Sequence, residues 1–348
     1  MAETVVDNDT RLEILRLVSE IDSPIGADSL AVKLEDRGIN LTPDAVRYHL
    51  RMLDQQKLTY RIGKRGRMVT PEGWRELRRS RVDTRIGWGL ARQETMAQQV
   101  TFDPYSRRGQ VAASLTIFPI EEQEGVLRHV ARVARAGLCL SERMALANSG
   151  DRVGSVTIPP GKAGIITVST STITGILVSQ GFLVSTTYAG IAEIADWRPY
   201  RFVDVLRYGQ GSMDSVENLI RPGSTRVGHT AERGRGLVIA DVRELVGVAR
   251  ERARDLLKQL RGCGIGGVLM VGQVGQPVLG VPVRDHTFGV ASLAGVNATL
   301  AAYELNVATD FHLVNCLVDY SSLLPAEHLL PEAEVRSWES AGSLVMWE

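Results

Sequence analysis

Residues 42–70 read T-P-D-A-V-R-Y-H-L-R-M-L-D-Q-Q-K-L-T-Y-R-I-G-K-R-G-R-M-V-T, and they decide the fold of the amino-terminal region. Thr42 offers a hydroxyl to the orphan amides of a helix start, and Pro43 suits the first helical position, where its missing N–H costs nothing. Ala45, Val46, His49, Leu50 and Leu53 recur at helical spacing as an inward stripe, which leaves Asp44, Arg47, Tyr48 and Arg51 on the other side. Tyr60-Arg61-Ile62 and Met68-Val69 read as two strands closed by Gly63-Lys64-Arg65-Gly66. The corner glycines supply the positive φ that such a turn needs. A helix followed by a basic hairpin is the recognition helix and wing of a winged helix-turn-helix.

The flanks complete that unit. Residues 10–21 form an amphipathic helix with Leu12, Leu15, Val18 and Ile21 facing inward, broken at Ser23-Pro24-Ile25-Gly26. Ala27 to Asp36 gives a second helix with Leu30, Ala31 and Leu34 inward, stopped by Gly38. A fourth helix starts at Pro71 and runs into the basic residues up to Arg81. The charge is concentrated here: residues 41–81 carry 11 Lys+Arg against 4 Asp+Glu, while the whole chain has 40 of each. Phosphate neutralisation needs such a local footprint. The expected DNA-contacting residues are Arg47, Tyr48 and Arg51 in the major groove, with Arg61, Lys64, Arg65 and Arg67 of the wing on backbone or minor groove. A protein-binding winged helix is the competing reading, and it would show no salt-dependent DNA affinity.

The 348 residues leave room for more than one domain. The expected division is a winged helix at 1–81, a connector at 82–110 and an α/β effector-binding and dimerisation domain at 111–348, so the fold class is α/β (α+β). With no apolar run long enough for a bilayer and no signal peptide, a cytoplasmic, non-membrane protein is expected. Cys139, Cys263 and Cys316 are far apart and sit in or beside apolar runs, so they are expected to be buried free thiols without zinc spacing.

Beyond residue 110 strands and helices alternate. Val111–Phe118, Val153–Ile158, Gly236–Asp241 and 266–272 read as strands, Glu121–Ala136 and Arg243–Leu260 as helices. Residues 114–138 and 236–265 share one order: strand, short acidic link, long amphipathic helix, glycine stop. Gly175–Val178 pairs loosely with Gly280–Val283, and Tyr188–Ile191 with Leu293–Val296. Two related halves with a ligand in the groove between them is one reading, and convergent strand–helix grammar is the other.

The glycine cluster at 262–267 follows a helix and opens a strand, the reverse of a dinucleotide fingerprint. There is no H-E-x-x-H, no paired-cysteine motif and no serine nucleophile elbow, so no catalytic residue, metal site or cofactor is expected. The run T-V-S-T-S-T-I-T-G at 167–175 is the clearest candidate binding element. Alternation puts Thr167, Ser169 and Ser171 on one face and Thr170, Thr172 and Thr174 on the other. Hydroxyls followed by a glycine can hold an anion, and an ordinary hydroxyl-rich strand fits as well. The candidate effector residues are Ser169, Thr170, Thr172, Thr174, Gly175 and Gly190, with Arg284 as the cationic partner.

These blocks resemble the NrpR family of nitrogen-regulatory repressors. The similarity rests on I-L-R-L-V-S-E-I-D-S-P-I-G-A, A-V-R-Y-H-L-R-M-L-D and R-I-G-K-R-G-R-M-V-T-P-E-G in the winged helix. In the later region it rests on V-G-S-V-T-I-P-P-G-K-A-G-I, T-I-T-G-I-L-V-S-Q-G, Y-A-G-I-A-E-I, R-Y-G-Q-G-S-M-D and G-G-V-L-M-V-G-Q-V-G-Q-P-V-L-G-V-P-V. The resemblance implies a homodimeric repressor of nitrogen genes on a palindromic double-stranded operator, released by the small anionic effector 2-oxoglutarate. Some family members carry two effector domains, and this chain has room for one. The family often has a cysteine where Ser169 stands here, so the DNA-binding role carries over more directly than the ligand. An α/β enzyme acting on a small carboxylate, with an accessory winged helix, is the alternative.

Overall fold

The computed structural model describes residues 2–21, 23–37, 39–79, 88–210, 214–330 and 342–345. The chain divides into two compact units, Met1–Thr84 and Arg85–Glu348. In the first, α1 (Ala2–Ser19), α2 (Ala27–Glu35) and α3 (Pro43–Gln55) precede a hairpin of β1 (Thr59–Arg61) and β2 (Arg67–Val69), followed by α4 (Pro71–Arg79). Ile14, Leu15, Leu17 and Val18 of α1 share one core with Leu30, Leu34, Val46, Leu50 and Leu53. The buried face of α1 is broader than the expected stripe, with Leu12 only half-buried while Ile14 and Leu17 are buried. The reason is that α1 packs on α2, α3, α4 and β2 together. Arg81 lies outside the described residues.

The second unit opens with α5 (Trp88–Gln98), inside the stretch expected to be a connector. Then come β3 (Gln110–Pro119), α6 (Gln123–Arg135), β4 (Arg143–Ala147), β5 (Arg152–Val153), β6 (Val156–Thr157), β7 (Lys162–Val168) and α7 (Ser171–Ser179). Next are β8 (Val184–Ala195), β9 (Arg198–Arg207), α8 (Ser215–Leu219), α9 (Val227–Arg233), β10 (Gly236–Val246) and α10 (Arg250–Gly262). The last are β11 (Val268–Val271), β12 (Thr287–Leu293), α11 (Asn297–Glu304), β13 (Asp310–Asp319) and β14 (Leu324–Pro325). They build two antiparallel five-stranded sheets, ordered β13-β3-β7-β4-β14 and β11-β12-β10-β8-β9.

Three local expectations change. Residues 153–158 are part of the small hairpin β5–β6 rather than one strand. The hydroxyl run turns from strand into helix at Ser169-Thr170. The strand from Gly236 continues to Val246, held by β12 to the pair Val246↔Thr287, so Arg243 is a strand residue and the helix starts at Arg250.

Two related halves are present, and each completes the other. The order strand, 3-10 turn, helix, two strands and helix occurs as β3–α6–β4–β7–α7 and again as β10–α10–β11–β12–α11. The fourth strand of each sheet core is exchanged: β8, which follows α7, pairs with β10, and β13, which follows α11, pairs with β3. Equivalent bonds repeat across the pair. Ser169 N–H donates to Ala112 O at 2.8 Å and Ala294 N–H to Ile239 O at 3.0 Å. The Thr172 hydroxyl donates to Ala112 O at 3.0 Å, and the Asn297 amide to Ile239 O at 2.9 Å. The first sequence pairing, 114–138 with 236–265, matches this repeat. The two later pairings do not, because α7 corresponds to α11 and β8 to β13.

Candidate DNA-binding surface and effector site

In α3 the sequence signals act as physical chemistry requires. The Thr42 hydroxyl accepts from the Ala45 amide at 3.2 Å, and Pro43 opens the helix. Val46, His49, Leu50 and Leu53 are buried, which turns Arg47, Tyr48 and Arg51 to solvent. Arg47 donates to Asp28 of α2 at 2.9 Å and pairs with Asp44 one turn back. Such exposed pairs contribute little to stability, so a phosphate or base edge can replace them. On the hairpin, Arg61, Lys64 and Arg65 are exposed around the turn, and the Arg61 Nε–H donates to Gly63 O at 2.9 Å. Arg67 is placed differently. Its side chain is 14% exposed and its Nε–H donates to Asp54 Oδ2 at 2.8 Å, while Asp54 Oδ1 accepts from the Thr59 hydroxyl at 2.6 Å. Arg67 also exchanges backbone bonds with Ile25 at 3.2 and 3.0 Å. Arg67 therefore ties the wing to the end of α3 and to the segment before α2, whereas the other six candidates face solvent.

The hydroxyl run is brought together; the Thr172 and Thr174 hydroxyls are used within the protein, while the buried Thr167 and Ser171 hydroxyls have no hydrogen-bond partner among the described residues. Ser169, Thr170, Ser171, Thr172 and Thr174 are all buried. The Thr172 hydroxyl bonds Ala112 O. Thr174 Oγ1 accepts from the Arg243 Nε–H at 2.7 Å, and Thr170 O accepts from a terminal N–H of the same guanidinium at 2.8 Å. Gly175 is needed for close packing, since a Cβ there would lie 2.3 Å from Ala97 O of α5. Gly190 sits in β8, where a Cβ would lie 2.4 Å from Asp204 O, so it serves the sheet. Arg284 is not the partner of this turn: it is exposed and its Nε–H donates to Glu244 Oε2 at 2.9 Å. Burial would raise the Glu244 carboxyl, but the Arg284 guanidinium and amide and the Thr287 hydroxyl outweigh it and hold it below the usual range.

The cation at the turn is Arg243, which the sequence reading placed in a helix. It is 1% exposed and saturated: besides Thr174 and Thr170 it donates to both oxygens of Asp241, at 2.6 and 3.0 Å, and to Ser292 Oγ at 2.6 Å. The equivalent place in the other half is neutral, where Thr116 and Thr299 share a hydroxyl contact of 2.9 Å. Beside the turn lies a cavity of about 20 Å³ lined in part by Gln93, Ser169, Thr170 and Asp214. That is room for about one water. Asp214 accepts from Gln93 Nε2 at 2.8 Å and from the Val216 amide, and burial raises its carboxyl above the ordinary range. Burial, with Asp214 and Asp241 nearby, drives the Tyr208 phenol well above its usual value. An anion entering there would meet Asp214, whose carboxyl also feels the charge of Arg92. These partners were hidden from sequence reading because they come from β10, α5 and the segment before α8.

The three cysteines are buried free thiols, and burial pushes Cys139 up to about 12. Among the described residues no group of His, Cys, Asp and Glu could hold a metal ion, and no helix is long and apolar enough to cross a membrane.

Comparison with known proteins agrees with this architecture. A family model described as NrpR regulatory domains NRD1 and 2 matches residues 86–324, and one described as the Ribonuclease R winged-helix domain matches residues 12–77. The global nitrogen regulator NrpRI of Methanosarcina mazei is 31% identical over 312 residues, covering 90% of this chain and 96% of that protein. The global nitrogen regulator NrpR of Methanococcus maripaludis is 27% identical over 91% of this chain, which spans 55% of that longer protein. The crystal structure of a nitrogen repressor-like protein from Methanococcus jannaschii is similar in fold, with a TM-score of 0.58 and 20% identity, covering 71% of this chain and all of that one. The chain belongs to the NrpR family of nitrogen regulators.

Proposed function

We propose that the protein is a homodimeric transcriptional repressor of nitrogen-related genes, with a winged helix at residues 1–81 that reads a palindromic operator. The observation that carries this reading is the exposed set Arg47, Tyr48 and Arg51 on α3 beside Arg61, Lys64 and Arg65 on the wing. A capped helix offers side chains to base edges, and a basic loop offers charge to phosphates. In this reading 2-oxoglutarate releases the protein from DNA, and it does so by binding two dimer arrangements with different affinity. The protein is a regulator and acts without turnover of the effector. The test is a titration against the protein's own upstream region, with and without millimolar 2-oxoglutarate. Specific binding lost on adding the ligand supports the reading. Specific binding indifferent to the ligand removes 2-oxoglutarate control, and absence of specific binding removes the repressor role.

A further inference from the structure

The most basic stretch of the chain carries an acid on its reading face. Of the two acids on α3, Asp54 is tied to Arg67, while Asp44 stands in the first turn with its side chain 89% exposed. Asp44 accepts from one terminal nitrogen of Arg47, one turn further along α3. Asp28, in the first turn of α2 and 77% exposed, accepts from the other terminal nitrogen at 2.9 Å. Two carboxylates from two helices therefore hold one guanidinium of the recognition helix.

A negative charge suits the first turn of any helix, which explains an acid in each place. It does not explain why both converge on one arginine that faces outward. On DNA their position matters. In a helix-turn-helix the recognition helix enters the major groove by its N-terminal end, and the helix before it crosses the backbone. Asp44 and Asp28 stand at those two places. The ion pairs are exposed and weak, so Arg47 exchanges them for any better acceptor. A guanine edge is one, since O6 and N7 together take both N–H groups of the fork. A lone phosphate is little better than the carboxylates it would replace, and the exchange leaves two negative groups beside the backbone.

We propose that Asp28 and Asp44 are specificity-determining residues, which withhold Arg47 from the phosphates of non-specific DNA and release it to its matching base. This rests on the reading above that α3 contacts DNA. The experiment is fluorescence-anisotropy titration of the full-length chain at several salt concentrations. The two probes are the protein's own upstream region and a scrambled duplex of the same length. Wild type is compared with Asp28→Asn/Asp44→Asn and with Glu35→Gln/Asp36→Asn, and the asparagine pair is repeated in an Arg47→Ala background. Glu35 and Asp36 are exposed at the far end of α2, so their loss changes the formal charge equally. An Arg47 freed for one phosphate should tighten binding to the scrambled duplex about fivefold at about 150 mM salt and steepen its salt slope by about one unit. The upstream region should gain less, so the ratio of specific to non-specific affinity falls. The control pair should leave slope and ratio near wild type, and with Arg47 removed the asparagine pair should change neither, as coupling through one residue requires. If upstream binding is specific but the ratio holds in Asp28→Asn/Asp44→Asn, the proposal is wrong and the DNA reading stands. An equal fall in the control pair would make the effect general charge, and a fall that survives in Arg47→Ala would make it independent of Arg47; either result overturns the proposal. Absence of specific binding by wild type ends the DNA reading and the proposal together.

Discussion

Replacing Arg243 by threonine tests whether the charged junction behaves as one buried unit. Arg243 and Asp241 are each 1% exposed, and all five N–H groups of the guanidinium are used. Arg243→Thr strands a buried carboxylate, which costs about 3–5 kcal/mol when one partner of a buried pair is removed. The other half of the domain supplies a neutral template: Ser114 and Thr116 stand where Asp241 and Arg243 stand, and Thr116 meets Thr299 as Arg243 meets Thr174. The double variant Asp241→Ser/Arg243→Thr copies that template and leaves no orphan charge. What remains is the lost side-chain volume, and a void of 50–100 Å³ costs roughly 1–2 kcal/mol at about 24 cal/mol per Å³. The double variant should therefore be more stable than Arg243→Thr by about 2 kcal/mol. Urea unfolding followed by far-UV circular dichroism reads this as a higher midpoint at an unchanged slope. Equal midpoints for the single and double variants would refute the coupled-charge account.

Three further outcomes follow from the site geometry. Lys64→Ala should weaken binding to all DNA sequences and flatten the log–log salt dependence by about one unit. Arg67→Ala should instead weaken binding with the slope unchanged and lower the melting temperature of the first unit, because it cuts the link to Asp54; a flattened slope would make Arg67 a phosphate contact. For Asp214 the folded pKa is raised, so its contribution to stability is full below the ordinary carboxylate value and is lost as pH rises through the folded value. Asp214→Asn keeps a carbonyl oxygen for the Val216 amide, so its stability relative to wild type should grow across that rise, read from unfolding free energies measured from about pH 4 upward. A constant difference would contradict the burial of an ionised Asp214.

The winged helix was legible because its signals are local. A Thr-Pro start, a 3.6-residue apolar stripe and glycines flanking Lys64-Arg65 each fix geometry within a few residues, and α3 and the β1–β2 hairpin form where those signals stand. The hydroxyl run misled because its threonines carry strand propensity, while the decision to turn at Ser169 is made by Ala112, which takes bonds from both the Ser169 amide and the Thr172 hydroxyl. Arg67 read as one more wing cation, since only the fold brings Asp54 beside it. Arg243 was assigned to a helix because E-L-V-G-V-A-R-E-R continues an amphipathic pattern, and the pairing with β12 that keeps it extended lies about fifty positions away.

The exchanged strands also bear on how a ligand of the second unit could act. Residues 305–309 connect α11 directly to β13. β13 belongs by sequence to the second half but pairs with β3 in the sheet of the first. Any movement of the 305–309 turn would thus pull on the outer strand of the opposite sheet, through backbone bonds such as Asp310↔Ile117 and Phe311↔Thr116. A packed antiparallel ladder resists a gradual slide, because moving it by one residue would turn every side chain to the wrong face. Any response is therefore confined to a small number of discrete arrangements, as a ligand-controlled switch requires. Hydrogen exchange of the β13 and β3 amides, with and without 2-oxoglutarate, would report such a change directly; protection altered in other strands but not along this ladder would place the coupling elsewhere.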